Sequence, residues 1–529
     1  MGCFNLYINS INVCSIIIGG FLMKLSLKNS VLRGTIILTL AGILTKIIGF
    51  FYRIYLTRTI GAAGMGLMQL TMPVAGIAFA ICSSGIQTAI SRFSSAAAAK
   101  NTSENTGQWL IYGLLISLPA SIILTLLTYT YSDFIAKRVL LNAQCSSLIR
   151  LLAFTFPFSC FHNCVCGYYY GYKKTAIPAF SQLVEQIIRV MTVYLYSKIC
   201  LQNNYPVTVT GAFIGSLISE IAATIFCFAA IFSNKSFKLR LIRISVFYDG
   251  LKKMLAFSVP LTFNRLLMHI LQGCESILIP AQLILYGYSQ NESISIYGIL
   301  TGMALPFILF PAALTNSLSI MLLPEVSGAQ SADNNTSIRL TIGRSIHFCL
   351  ALGIFTTFLF LFYVGRIGSI IFNEPSVHMF ILVLCWLCPF YYLTMTLSSI
   401  LNGLGHSTLT CVQNIAAILV RIAFLIITVP FYGIAGYLWG LLLSQIIICI
   451  LHYISLHRLY RPHTSPFKNI ILPTCNSLLC IGISLIVYRI SETFTNELIC
   501  LCIATFTAGL LFIITSCAIH YYNSGRYKK

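Results

Sequence analysis

The chain has 529 residues, of which 57% are hydrophobic and 9% charged, against about 25% charged in an average soluble domain. That composition excludes a water-soluble enzyme, a disordered chain and a nucleic-acid-binding module. Its 33 Lys and Arg, set against 12 Asp and Glu, fall mainly between long apolar runs, where basic residues orient membrane spans.

Residues 1–22 hold an apolar run from Ile11 to Leu22 that is too short to cross a bilayer, which takes about 20 residues. They also lack the basic start and small-residue cleavage site of a signal peptide. Met23 precedes Lys24, Lys28, Arg33 and a full-length apolar helix, so Met23 is the expected natural start and 1–22 a leader outside the native protein.

Cutting the chain at charged and Pro/Gly-rich breaks then predicts an all-α polytopic membrane protein of fourteen transmembrane helices. The spans are 34–56, 67–90, 108–130, 149–169, 178–198, 209–232, 254–286, 295–320, 343–364, 378–401, 410–430, 433–455, 468–489 and 498–520, the seventh bent or broken at Pro280. An even count puts both termini on one side. The N-terminus, the even-to-odd loops and the C-terminus hold most of the Lys and Arg, and the loop 233–253 alone has Lys235, Lys238, Arg240, Arg243, Lys252 and Lys253. By the positive-inside rule both termini are cytoplasmic.

The chain also repeats itself. Pro157, Gly171 and Arg189 recur at one common spacing as Pro389, Gly403 and Arg421, and Gly211–Glu220 resembles Gly436–Gln445. The pattern predicts two pseudo-symmetric six-helix lobes, an N-lobe at 23–232 and a C-lobe at 254–456. A basic cytoplasmic linker (233–253) joins them, and 457–529 adds two further helices and a basic tail. Six is even, so the lobes insert in the same sense, an arrangement suited to alternating access around a site near mid-membrane.

Ionisable residues inside spans cost a few kcal/mol each and normally face a partner or a watery cavity. Those of interest are Lys46, Arg53, Arg189, Arg265 and Arg421 among the cations and Glu185, Glu220 and Glu275 among the carboxylates. Lys46 and Arg53 lie two helical turns apart on one face, and Glu185 and Arg189 are spaced to pair along one helix. The cationic surplus suits an anionic group such as phosphate or pyrophosphate, which arginine's planar donor fork matches. The carboxylates are candidates for ion coupling or for pairing with the arginines.

Most of the twenty cysteines lie in apolar runs and read as small hydrophobes. Cys160, Cys164 and Cys166 flank His162, but no second pair recurs at zinc-site separation, so no metal, cofactor or disulfide is assigned. No phosphate-binding Gly-x4-Gly-Lys-Ser/Thr loop and no hydrolase motif occurs, so the chain is read as a non-enzyme.

The run from Leu40 to Leu67, centred on Thr45-Lys46-Ile47-Ile48-Gly49-Phe50-Phe51-Tyr52-Arg53, resembles the stage V sporulation protein B family, as do Ser84–Arg92, Glu275–Pro280, Leu300–Thr315 and Leu401–Gly405. That family is a polysaccharide-type flippase branch of the multidrug/oligosaccharidyl-lipid/polysaccharide exporter superfamily. The resemblance implies a flippase that turns an undecaprenyl-pyrophosphate-linked glycan, similar to lipid II, to the outer leaflet of the cell membrane for spore cortex peptidoglycan. Its partners would be that glycan lipid, the surrounding membrane lipids and cell-wall synthesis proteins, with no nucleic acid. Lys46, Arg53 and Arg265 match the cavity cations of related lipid II flippases, whereas the basic positions those relatives carry in spans 2 and 8 are unfilled here. The alternative is a cation-coupled multidrug exporter of the same superfamily, which needs an acidic chamber.

Overall fold

A computed structural model describes residues 30–99, 107–233, 244–462, 465–494 and 496–526. The leader 1–22, Met23 and most of the basic linker lie outside these residues. All regular structure among the described residues is helical. We number the main helices α1 Ser30–Phe79, α2 Gly85–Ala99, α3 Gln108–Thr130, α4 Cys145–Ala153, α5 Thr155–Gly171, α6 Ala176–Gln202, α7 Thr210–Phe232, α8 Ile244–Tyr286, α9 Gln290–Gly298, α10 Ala312–Ser331, α11 Asn335–Ile367, α12 Val377–Leu384, α13 Leu387–Gly403, α14 Ser407–Tyr432, α15 Ile434–Tyr460, α16 Leu472–Glu492 and α17 Glu497–Arg526.

One helix, α3, turns a hydroxyl-rich stripe inward and an apolar one outward, the reverse of a helix in a soluble protein. On α3 the buried side chains include Ser117, Ser121, Thr125 and Thr128, while Ile122, Ile123 and Leu126 are exposed. A helix that hides hydroxyls and shows branched apolar chains is stable only in hydrocarbon. By length and composition, nine helices among the described residues can cross a membrane, or twelve if each bent pair counts as one span. That is fewer than the fourteen expected. Expected spans 1 (from residue 40 on) and 2 share one helical run, Leu40–Ala98, kinked at Gly61 where φ is 69°, a conformation only glycine adopts without strain. Expected span 5 lies on α6, where Gln182, Glu185, Gln186 and Arg189 dilute the apolar signal. The seventh span also differs from expectation: α8 begins at Ile244 and continues unbroken through Pro260 and Pro280, as helices inside membrane proteins tolerate proline.

The described residues divide into two compact units, one within 34–307 and 414–441, the other within 308–413 and 442–526. In the first, α2, α3, α5 and α7 enclose a core of Ile86, Ile90, Tyr112, Val165, Tyr168 and Cys227. Gly167 and Gly171 form a small-xxx-small stripe on α5 that brings it against the α2 backbone. A Cβ on Gly167 would stand 2.7 Å from Gln87 O, and one on Gly171 2.6 Å from Ser91 O. In the second unit α11 packs on α16 and α17 through Phe355, Ile481 and Phe512, with the Phe355 and Phe512 rings stacked at 4.3 Å.

Each unit, described by itself, contains the same two contacts. In the first, Thr125 Oγ1 on α3 donates to Ala153 O at 3.0 Å, where α4 breaks from α5 by 41°. In the second, Thr357 Oγ1 on α11 donates to Cys385 O at 2.9 Å, where α12 breaks from α13 by 56°. Gly403, the repeat mate of Gly171, would set its Cβ 2.7 Å from Leu323 O. Thr125 to Thr357, Ala153 to Cys385 and Ser91 to Leu323 are all separated by the spacing that separates Gly171 from Gly403. The repeat read from sequence is thus matched by repeated packing contacts.

Because the α2 and α10 carbonyls cannot yield, Gly171→Val and Gly403→Val are each expected to destabilise the protein by about 1–3 kcal/mol through overpacking. Gly482→Val, whose Cβ would meet nothing within 4 Å, should lower the thermal midpoint of purified protein much less. Equal midpoints for all three would refute the close-packing role of the repeated glycines.

Candidate functional site

In the first unit a cavity of about 390 Å³ opens between α1, α5, α6 and α7. Its polar lining includes Tyr52 and Arg53 from α1, Gln186 and Arg189 from α6, and Ser216 and Glu220 from α7, with Ser83, Thr155 and Ser159 completing it. Gln186 and Arg189 project together because residues three apart share a helix face, and Ser216 and Glu220, four apart, do likewise. The volume is at the small end of the roughly 300–1,000 Å³ typical of ligand pockets.

The charges on this wall are unequally compensated. Arg189 forms the expected pair with Glu185 one turn back on α6, and its Nη1 also donates to Gln186 Oε1 at 3.2 Å. Glu220 Oε2 stands 3.5 Å from Nδ1 of buried His162, near enough for an ion pair when the imidazole is protonated but too long for a hydrogen bond. Arg53 instead donates from Nη1 to the backbone carbonyl of Thr301 at 3.4 Å, an uncharged acceptor. Thr301 belongs to a π-helical turn, Ile299–Ala304, whose wider register loosens the regular carbonyl ladder.

Arg265 does not line this cavity. It is exposed on α8, and its Nη1 donates to Ser84 O at 2.6 Å and its Nη2 to Thr88 Oγ1 at 3.2 Å. Ser84 closes a second π-helical turn, Ala80–Ser84. Lys46 is exposed on α1 and is likewise absent from the cavity wall.

Glu275 and Arg421 form a separate group. Arg421 Nη2 on α14 donates to Glu275 Oε2 on α8 at 2.6 Å, Arg421 Nε also pairs with Oε1, and Tyr437 on α15 donates its hydroxyl to Oε1 at 2.6 Å. Glu275 is only 6% exposed. A charge-assisted hydrogen bond, a second close ion-pair contact and a third donor together compensate the buried carboxylate. Glu275 is thereby a pairing carboxylate in this structure.

The eight ionisable residues singled out in the sequence therefore fall into distinct places. Arg53, Arg189 and Glu220 meet at the cavity, with Glu185 behind Arg189; Glu275 and Arg421 lock three helices; Arg265 and Lys46 stand apart from both. Sequence reasoning missed Tyr52, Gln186 and Ser216, and missed His162 as the neighbour of Glu220. The spacing of Gln186 beside Glu185 and Arg189 was a usable signal, but no local signal ties His162 on α5 to Glu220 on α7. Among the described residues two groups have metal-compatible donor sets, His162 with Glu185 and Glu220, and His162 with Cys166 and Cys227.

Truncating one member of the buried pair leaves a charge unpaired, at about 3–5 kcal/mol. Glu275→Ala should therefore unfold at a markedly lower temperature than the parent, and Arg421→Met introduced on top of it should recover much of the loss. A double variant no more stable than Glu275→Ala would show that the pair is not what holds these helices.

The profile of the family described as "Polysaccharide biosynthesis protein" matches residues 31–304 and 329–510. Stage V sporulation protein B of Bacillus subtilis (strain 168) is 25% identical over 432 residues, covering 80% of this chain and 83% of the relative. The lipid II flippase MurJ of Bacillus subtilis (strain 168) is 20% identical over 440 residues, covering 76% and 78%. Among solved structures, a lipid II flippase MurJ in an inward closed conformation superposes with a TM-score of 0.68 at 17% identity, covering 92% of this chain and 99% of that one. An inward-facing multidrug resistance transporter of the MATE family superposes with a TM-score of 0.63 at 13% identity, covering 81% and 98%.

Proposed function

Since the chain belongs to the polysaccharide biosynthesis protein family, we propose that this multi-pass membrane transporter flips an undecaprenyl-pyrophosphate-linked glycan from the inner to the outer leaflet. The observation that carries the reading is Arg53. It sits on the wall of an intramembrane cavity beside Arg189, held by a carbonyl that cannot neutralise it. An arginine in that state gains most from an arriving phosphate, which offers charge as well as geometry.

The similarity to stage V sporulation protein B and to a lipid II flippase supports a lipid-linked glycan as cargo and spore cortex peptidoglycan as its destination. The pyrophosphate would exchange for the Thr301 carbonyl at Arg53, with Arg189 released from Glu185 as a second donor. A cavity of this size takes the pyrophosphate and its first sugar rather than a whole glycan, so transport requires the lobes to part, as alternating access provides. The prenyl tail stays in lipid. Arg265 would serve as a further clamp on the path, and Lys46 as an outlying cation. Glu220, on the cavity wall, is the carboxylate placed for coupling to a proton or cation. Both termini face the cytoplasm in this reading, following the distribution of Lys and Arg.

Proteoliposomes offered a labelled undecaprenyl-pyrophosphate glycan and a cationic dye test it. The parent protein should speed glycan translocation over empty liposomes. Arg53→Ala should slow it by about 10- to 100-fold, the equivalent of a charged hydrogen bond worth roughly 1.5–3 kcal/mol, and Arg265→Ala should abolish it in protein that still folds, since Thr88 Oγ1 also donates to Ser84 O at 3.0 Å. Dye transport driven by an ion gradient, with the glycan unmoved, would establish the multidrug exporter instead.

A further inference from the structure

We propose that His162, Cys166 and Cys227 form a binding site for a thiophilic divalent cation, Zn²⁺ by its chemistry, buried between α5, α6 and α7. His162 and Cys166 lie four residues apart on α5 and so share a face, and Cys227 approaches from α7. Their ligand atoms all lie within 4.8 Å of one another. The three residues are 5%, 4% and 0% exposed.

A fourth polar group converges on the same place. Ser181 of α6 is fully buried, and its Oγ lies 3.0 Å from His162 Nε2 and 3.6 Å from Cys166 Sγ. On the far side of the imidazole, Nδ1 faces the Glu220 carboxylate at 3.5 Å. A carboxylate behind a histidine fixes the tautomer and orientation of a metal-ligating imidazole once the ring N–H donates to it, which here takes a closing of this gap by a few tenths of an ångström on metal binding. The Ser181 hydroxyl donates its proton to Pro178 O at 2.9 Å, so it meets the imidazole and the Cys166 thiol with its lone pairs.

The donor set selects the ion. Sulfur and imidazole ligands suit Zn²⁺, whereas hard cations such as Mg²⁺ or Ca²⁺ take oxygen. Charge balance agrees: two thiolates cancel a dication and the imidazole stays neutral, so no net charge is added where hydrocarbon would penalise it. Zinc bonds of about 2.0–2.3 Å place neighbouring tetrahedral ligands roughly 3.5 Å apart, so contraction of about an ångström by side-chain rotation completes the shell, with Ser181 or water as fourth ligand. Each thiol releases its proton on binding, so the affinity falls as the pH is lowered. Glu220 lines the cavity and gives the ion a route in past His162. Once bound, the ion clasps α5 to α7 and fixes His162 behind Glu220, setting the position of the carboxylate on the cavity wall.

The test uses full-length protein in detergent under reducing conditions, stripped with a chelator and titrated with Co²⁺ as a spectroscopic substitute for Zn²⁺. We expect one Co²⁺ per chain, with a thiolate-to-cobalt charge-transfer band in the near ultraviolet that equimolar Zn²⁺ abolishes. Cys166→Ser and Cys227→Ser should each weaken or remove the band, and Cys480→Ser, a buried thiol on α16, should leave it unchanged. Absence of stoichiometric binding, binding without the thiolate band, or a band indifferent to Cys227→Ser would overturn the proposal. The first two outcomes are read on the unsubstituted protein, so a poorly folding variant does not obscure them.

Discussion

Hydrocarbon supplies no hydrogen bonds, so every charge and every displaced carbonyl within the spans has to find its partner in the protein itself. This constraint explains the polar interior of the first unit. Glu275 is answered twice by Arg421 and once by Tyr437, which ties α8 to α14 and α15. Arg189 is answered by Glu185 without leaving its own helix. Arg53 and Arg265 are answered only by neutral oxygen atoms among their described hydrogen bonds, and they are the cations with most to gain from an anionic ligand.

The neutral oxygens come from unusual backbone. Both carbonyls that receive these arginines belong to π-helical turns, Ala80–Ser84 and Ile299–Ala304. The first turn is an acceptor for several helices at once: Cys82 O takes hydrogen bonds from Ser117 Oγ at 2.5 Å and from Cys160 Sγ at 3.3 Å, while Ser84 O takes Arg265. A π-turn leaves a carbonyl out of the helical ladder, which in a membrane is costly unless a neighbour donates to it. These turns therefore act as docking points, and an arginine docked on one can be drawn away by a ligand that offers a full negative charge.

Much of this architecture was legible in the sequence because it rests on short-range patterns. Apolar length located the spans, the four-residue spacing of Glu185 and Arg189 anticipated their pair, and the recurrence of Gly171 as Gly403 marked two close helix contacts. What was not legible depends on how helices rotate against one another. A helix apolar all round carries little moment to fix its facing, so nothing near Glu275 announced Arg421 and Tyr437, and nothing near His162 announced Glu220 or Cys227. The span hardest to count from composition, α6, is diluted by Gln182, Gln186, Glu185 and Arg189, and the last three of these are the residues that build or back the cavity wall. Polarity that weakens a membrane signal is here the trace of a site.

The repeat also shows where the two copies part company. Gly171 and Gly403 keep one job, because a backbone carbonyl at 2.6–2.7 Å leaves no room for a Cβ, and Thr125 and Thr357 keep another, each giving its hydroxyl to a carbonyl at a helix break. Arg189 and Arg421 occupy matching positions yet do different work: one stands on the cavity wall with a partner a turn away, the other is locked to Glu275 and Tyr437. The position matching Glu185 is Ala417 and the counterpart of Glu220 is Gln445, so the second copy lacks both carboxylates that shape the cavity in the first. Packing is thus shared between the copies while charge is not. The cavity in the first copy joins Arg53, Arg189, Glu220 and Gln186 on one wall, and the proposed reception of an anionic headgroup rests on that asymmetry.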